Sequence, residues 1–254
     1  MAERFSERPA TACLSVVMPC YNEAATLEAA IKQVLGSPLV GELIVVDDGS
    51  SDDSATIAES VQDQRISVVR QPANRGKGAA LRRGFELATR PFVIIQDADL
   101  EYDPADWPHV VEPLLDGRAD VVFGSRFLGT GPHRVLYFWH YVGNRVLTMV
   151  SNMVTNLNLS DMETCTKAFR REVIQSIDLR EDRFGFEPEV TAKVAAGGWR
   201  VYEVGVSYSG RTYAEGKKIG AADGVRAVWC MVRYATPVVR RRRDRQRNGG
   251  RGGT

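Results

Sequence analysis

Between residues 14 and 125, short apolar runs alternate with stretches whose apolar residues recur every three or four positions. LSVVMP (14–19), ELIVVDD (42–48), ISVVR (66–70), FVIIQD (92–97) and DVVFGS (120–125) have the length and β-branched content of buried strands. Between them, AATLEAAIKQVLG (24–36), SATIAESVQDQ (54–64), GAALRRGFELAT (78–89) and ADWPHVVEPLLDG (105–117) carry helical spacing. Strand and helix in alternation predict right-handed crossovers and an α/β fold with a mostly parallel central sheet flanked by helices.

The pattern changes after residue 130. VLYFWHYVGNRVLTMVSNMVTNLN (135–158) predicts one long helix with aromatic and Met-rich faces. Shorter helices are expected at 171–178 and 187–196, a strand at RVYEVGVSY (200–208), and a last amphipathic helix within 222–239. No internal repeat interrupts this order. The expected organisation is one domain over residues 1–239, with the half after residue 126 covering the sheet.

Composition narrows the classes. The chain has 254 residues and an apolar fraction of 44%, which suits a substantial core. A net charge of +1 gives no global pull towards nucleic acid, and none is expected as a partner. The charge is uneven, however. RRRRDRQR (240–247) and the Gly-rich end behind it read as a basic, disordered tail over residues 240–254. Cys13, Cys20, Cys165 and Cys230 show neither a CxxC nor a zinc spacing, so free thiols in a reducing compartment are expected. No signal-peptide core opens the chain, and AVWCMVRYATPVV (227–239) is too short and too charged to span a bilayer. A soluble or membrane-peripheral protein is expected.

Chemistry gathers at strand ends. VIIQDADLEYDP (93–104) runs from four apolar residues into Asp97, Asp99, Glu101 and Asp103. Acids spaced two apart on an extended chain point the same way, towards one place beyond the strand. PCYNE (19–23) puts Tyr21 and Glu23 at the first strand end, where Tyr21 suits packing near a base; the same turn also reads as Asn22 capping the next helix. VVDDGSSDDS (45–54) ends the second strand in Asp47 and Asp48. In open parallel sheets, ligands bind outside the carboxyl ends of strands. Neither GxGxxG nor a P-loop is present, which disfavours a dinucleotide site and ATPase chemistry.

VVMPCYNE, VVDDGSSDDS, NRGKGAALRRGFE, DADLEYDP and GSRF follow one another as in family 2 glycosyltransferases, and the chain resembles that family over about residues 14–126. DMETCTKAFR (161–170) and RTYAEGKK (211–218) resemble its dolichol-phosphate mannosyltransferase-like branch. The resemblance implies a GT-A, Rossmann-like fold, with residues 14–126 as the nucleotide-sugar-binding half and 127–239 as the acceptor side. It implies that Pro19, Tyr21 and Glu23 line the nucleotide pocket, with Val46 and Asp48 at the base. Asp97, Ala98 and Asp99 would form the DxD element beside ribose and diphosphate. Asp99 and Glu101 would ligate Mg²⁺ or Mn²⁺, and Arg126, Arg211 and Lys217 would stand near phosphates. Asp99 and Arg126 are the residues expected to carry the catalysis.

The acceptor follows from the nucleophile. A sugar hydroxyl needs a general base, whereas a phosphate monoester, with its second pKa near ~6, is already nucleophilic at neutral pH and needs cations to hold it. Arg126, His133, Arg134, His140 and Arg145 suit a phosphate; Asp161 and Glu163 are available as a base. The expected activity is inverting hexosyl transfer from a GDP-mannose or UDP-glucose type donor to a polyprenyl phosphate. It would take place at the cytoplasmic face of the membrane, with the tail on anionic lipid and room for a membrane-protein partner. The alternatives are transfer to a sugar hydroxyl in cell-wall or capsule synthesis, and a non-catalytic nucleotide-sugar-binding or scaffold role.

Overall fold

A computed structural model describes residues 12–129, 134–135, 137–210, 224 and 226–235. Strands β1 (Leu14–Cys20), β2 (Val40–Asp47), β3 (Ile66–Arg70), β4 (Phe92–Ile95) and β5 (Val121–Ser125) lie where the apolar runs place them. They are joined by helices α1 (Leu27–Gly36), α2 (Ser54–Ser60), α3 (Lys77–Leu87) and α4 (Trp107–Leu115). The long helix α5 spans Phe138–Thr155, followed by β6 (Lys167–Arg170), α6 (Arg171–Ser176), α7 (Phe186–Gly197) and β7 (Val201–Gly205). Residues 226–235 are helical.

The seven strands run in the order β3-β2-β1-β4-β6-β5-β7. All neighbours pair in parallel except β6, which is antiparallel to both β4 and β5. β6 is the one strand that the hydropathy pattern does not announce. It is four residues long and begins with Lys167, whose side chain is fully buried and donates to the carbonyls of Met162 and Thr164. A buried lysine reads as a solvated one until its carbonyl acceptors are known.

Two cores sandwich the sheet. Alternation along a strand buried on both faces assigns Val16 and Met18 to one core and Val17 to the other. The first core meets Leu27, Ile31 and Val34 of α1 and Trp107, Val110 and Leu114 of α4. The second meets Leu81 and Phe85 of α3, Val173 and Ile174 of α6, and Phe186 and Val190 of α7. At about 25 cal/mol per Å² of apolar area removed from water, side chains this deeply buried supply most of the fold's stability. With both faces covered, only the strand ends remain for a ligand.

Candidate active site

β1, β2, β4 and β5 point the same way, so their carboxyl ends share one edge of the sheet. Pro19 is the penultimate residue of β1, Tyr21 and Glu23 follow that strand, Asp48 follows β2, Asp97 to Glu101 follow β4, and Arg126 follows β5. Asn22 and Leu100 adopt left-handed backbone conformations, φ 53° and 62°, that turn these two loops sharply at the edge. The loops are also laced together. Thr26 Oγ1 donates to the Ala98 carbonyl at 2.8 Å, and the Glu23 amide donates to Ser54 Oγ at 2.9 Å.

Asp48 is buried, and its carboxylate accepts the amides of Arg75 at 2.9 Å and Gly76 at 2.6 Å. It thereby holds the NRGKG loop that opens α3. Gly76 has φ +107°, and a Cβ there or on Gly78 would run into the main chain of residues 181–183. Only glycine permits that approach. The side chain of Val46 is fully buried in the second core, so the structure places it in the packing behind the site.

The loop that Asp48 holds delivers Lys77. Its Nζ donates to Asp97 Oδ2 at 2.9 Å and to Cys165 Sγ at 2.6 Å, and lies 3.5 Å from Glu187 Oε1. Cys165 Sγ in turn donates to Asp97 Oδ2 at 2.6 Å. Burial opposes charge on the Lys77 amine, but Asp97, Cys165 and Glu187 outweigh it and push its pKa well up. Burial, then the Asp97 charge, push the Cys165 thiol well up, so it stays protonated and acts as a donor. Lys77, Cys165 and Glu187 thus gather around Asp97, and the sequence pattern singles out none of the three. Their signal is weak: they are single residues far apart in the chain, and only Lys77 lies in a motif whose glycines mark a close approach.

Asp99 and Glu101 stand half-exposed beyond Asp97. Asp99 Oδ1 accepts the Glu101 amide at 3.1 Å, and Glu101 Oε2 accepts the Tyr208 hydroxyl at 3.1 Å. Among the described residues, no group of three His, Cys, Asp or Glu is close enough to cage a metal. Two hard carboxylates at an open edge nevertheless fit Mg²⁺ or Mn²⁺, which characteristically take one or two acids and complete their shell with substrate phosphates and water.

At the end of β5, Asp161 is wholly buried and receives Arg126 in a two-pronged pair, Nε to Oδ2 at 2.7 Å and Nη2 to Oδ1 at 2.8 Å. The Arg126 amide donates to the same carboxylate at 3.0 Å. The Arg126 guanidinium also stacks 5.2 Å from the Tyr208 ring centre. Glu163 lies between these charges with its Oε1 buried and unbonded. Burial, then the nearby Glu187, raise its carboxyl to about 8, against the pull of Lys167 and Arg126. Arg134 and Arg145 are exposed. His133, Arg211, Lys217 and the tail at 240–254 lie outside the described residues.

The model of the family described as glycosyl transferase family 2 matches residues 15–178. The chain belongs to glycosyl transferase family 2. An uncharacterized glycosyltransferase of Mycobacterium tuberculosis is 35% identical over 214 residues, 83% of this chain and 92% of the relative. The polyprenol monophosphomannose synthase of Mycolicibacterium smegmatis is 27% identical over 215 residues, 81% of each chain. Both the family and the branch that the motifs resemble are thus represented among this glycosyltransferase's relatives. The glucosyl-3-phosphoglycerate synthase of M. tuberculosis, solved with Mn²⁺, UDP and glucosyl-3-phosphoglycerate, superposes with a TM-score of 0.69. It is 23% identical, and the match covers 89% of this chain and 80% of that one. The fold of this glycosyltransferase is GT-A, as the motifs lead one to expect. The antiparallel β6 inside its sheet is the feature they leave out.

Proposed function

We propose that this glycosyltransferase moves a hexose, with inversion, from a nucleotide sugar of GDP-mannose or UDP-glucose type to a polyprenyl phosphate at the cytoplasmic face of a membrane. The observation that carries the acceptor class is the state of the two acids in residues 161–166. Asp161 is wholly buried and spent on Arg126, and Glu163 turns Oε1 into the protein, where it is shut off from solvent. Neither is set up as the general base that a sugar hydroxyl requires. A phosphate dianion needs no base, and the mycolicibacterial relative is named as a polyprenol monophosphomannose synthase.

In this reading Tyr21 and Glu23 receive the nucleotide, and Asp97, with Ala98 and Asp99, lines the ribose and diphosphate. Asp99 and Glu101 would hold Mg²⁺ or Mn²⁺, which supplies charge neutralisation as the nucleoside diphosphate leaves. Lys77 offsets the charge of Asp97, so the acidic edge repels a diphosphate less than its sequence suggests. Arg126, fixed by Asp161, offers a rigid guanidinium to the acceptor phosphate, and fixed donors lose little entropy on binding. Arg211, Lys217 and the basic tail are assigned to phosphates and to anionic lipid on their sequence context alone.

The test is a screen of nucleotide sugars for transfer to a short polyprenyl phosphate, with Mg²⁺, Mn²⁺ or chelator. Formation of a metal-dependent polyprenyl phosphate sugar supports the reading. So does a kcat/KM that falls as pH drops through the acceptor's second pKa near ~6. Transfer to sugar hydroxyls alone, lost on Glu163→Gln by ~100-fold or more, would replace it.

A further inference from the structure

Helix α5 presents an unusual pair of faces. It buries the small polar residues Thr148, Ser151 and Thr155, and packs Leu147, Val150 and Val154 only partly against the core. Its large apolar side chains look outward: Phe138 is 66% exposed, Trp139 78% and Met153 70%, with Val146 and Met149 about half exposed. The buried polar residues have a definite task. Thr148 Oγ1 accepts the Met162 amide at 3.1 Å, so this side of the helix holds the loop that carries Asp161.

At ~100° per residue, Phe138, Trp139, Val142, Val146, Met149 and Met153 fall within an arc of about 100°. They form one continuous stripe along the whole of α5. The segment that carries this stripe bears one sign of charge. Residues 127–160 contain no Asp or Glu, although those acids make up 32 of the chain's 254 residues, and they do contain Arg134 and Arg145. Both arginines are exposed, and Arg145 borders the stripe. No helix among the described residues is long and apolar enough to cross a membrane. A helix with one apolar, Trp-bearing face, in a segment whose charged side chains are all basic, has the make-up of one that lies in the plane of a bilayer surface.

We infer that the outer face of α5 docks this glycosyltransferase onto an anionic lipid bilayer, with Phe138, Trp139, Met149 and Met153 entering the headgroup and acyl boundary. The occupant is the lipid surface itself. Charge favours it: an acid-free, arginine-bearing segment complements anionic headgroups, whereas nothing on the segment complements the cations of a second copy of itself. The inference rests on the lipid-acceptor reading above, which gives docking a purpose. The same helix grips the Asp161 loop from its other side, so a docked α5 sets that loop at a fixed height over the membrane.

The experiment is flotation of the full chain with mixed phosphatidylglycerol–phosphatidylcholine vesicles. The wild type is compared with the triple variant Trp139→Ser, Met149→Ser, Met153→Ser, whose fold is checked by thermal melting. The wild type should float, and the triple variant should partition at least ~10-fold more weakly, since three buried apolar side chains are lost. Quenching of tryptophan fluorescence by brominated acyl chains should fall in Trp139→Phe while flotation persists. Equal flotation of wild type and triple variant, or no flotation of the wild type, overturns the inference. So does a triple variant that turns a dimer into a monomer without changing vesicle binding. Transfer to a short, detergent-soluble polyprenyl phosphate separates the two readings. If no polyprenyl phosphate is glycosylated while the stripe still governs flotation, the acceptor reading fails and the surface stands.

Discussion

Lys77 Nζ sits 2.9 Å from Asp97 Oδ2 and 3.5 Å from Glu187 Oε1, so one ammonium separates two carboxylates that come from the loop after β4 and from α7. Removing it should both destabilise the fold and spoil the donor site. Breaking a well-buried pair typically costs about 3–5 kcal/mol, and Lys77→Met should fall at the low end because both partners keep some solvent contact. Chemical denaturation would show this loss. Adding Glu187→Gln to Lys77→Met should recover part of it, because one stranded charge is removed. No recovery in the double variant would show that the ion pair is not what Lys77 contributes.

Asp99→Ala should abolish metal-dependent transfer and leave the melting temperature close to that of the wild type, since Asp99 is half-exposed and its carboxylate accepts the Glu101 amide within a local turn. Titration of Mn²⁺ in the presence of nucleoside diphosphate measures the loss directly. Near-normal turnover at saturating metal and donor would remove Asp99 from the metal site.

Glu163 makes stability depend on pH with a definite sign. Its carboxyl titrates near 4.5 when unfolded and at about 8 in the fold. Between those values the folded state holds a proton that the unfolded state has released. Stability from this group is therefore complete below 4.5 and is lost as pH rises through about 8. Glu163→Gln should flatten the fall in stability over that window, read as urea midpoints at a series of pH values. A wild-type curve with no such fall would show that Glu163 is ionised in the fold.

Much of this architecture is legible in the sequence, because the strands are buried on both faces and read as unbroken apolar runs. The carboxyl-edge loops follow at once, since each run ends in the residues that matter, from Tyr21 to Arg126. Less legible are contacts whose partners are far apart in the chain. Nothing local marks Cys165 or Glu187 as companions of Asp97, or Asp161 as the anchor of Arg126. The α5 pattern is readable as apolar, but only the fold shows which face is outside. Helix ends are also overestimated, as at 54–64 against the observed Ser54–Ser60, because polar residues continue a helical rhythm without any packing to sustain it.

The basic tail gives an expectation separable from α5. Deleting residues 240–254 should lower transfer to acceptor in anionic vesicles and spare transfer to a short, soluble acceptor. The vesicle effect should shrink with added salt, since each basic residue near such a surface contributes about 1 kcal/mol and is screened over a Debye length. Equal losses on both acceptors would mean that the tail serves the enzyme rather than the membrane.

The position of β6 bears on how the chain reaches this state. β4 and β5 are parallel and consecutive, joined through α4, and would by the usual right-handed crossover lie side by side. In the finished sheet β6 parts them, yet it is made more than forty residues after β5. Until residues 167–170 are in place, β4 and β5 lack the strand that lies between them in the finished sheet. We expect refolding to pass through a species in which β1 to β4 are protected from hydrogen exchange while the amides of residues 167–170 are still open. Pulsed exchange that protects all seven strands together would show that the insertion is made in one concerted step. In such a species the edge that carries Asp48 and Asp97 is built first, and the segment that brings Asp161 to Arg126 is admitted to the sheet last.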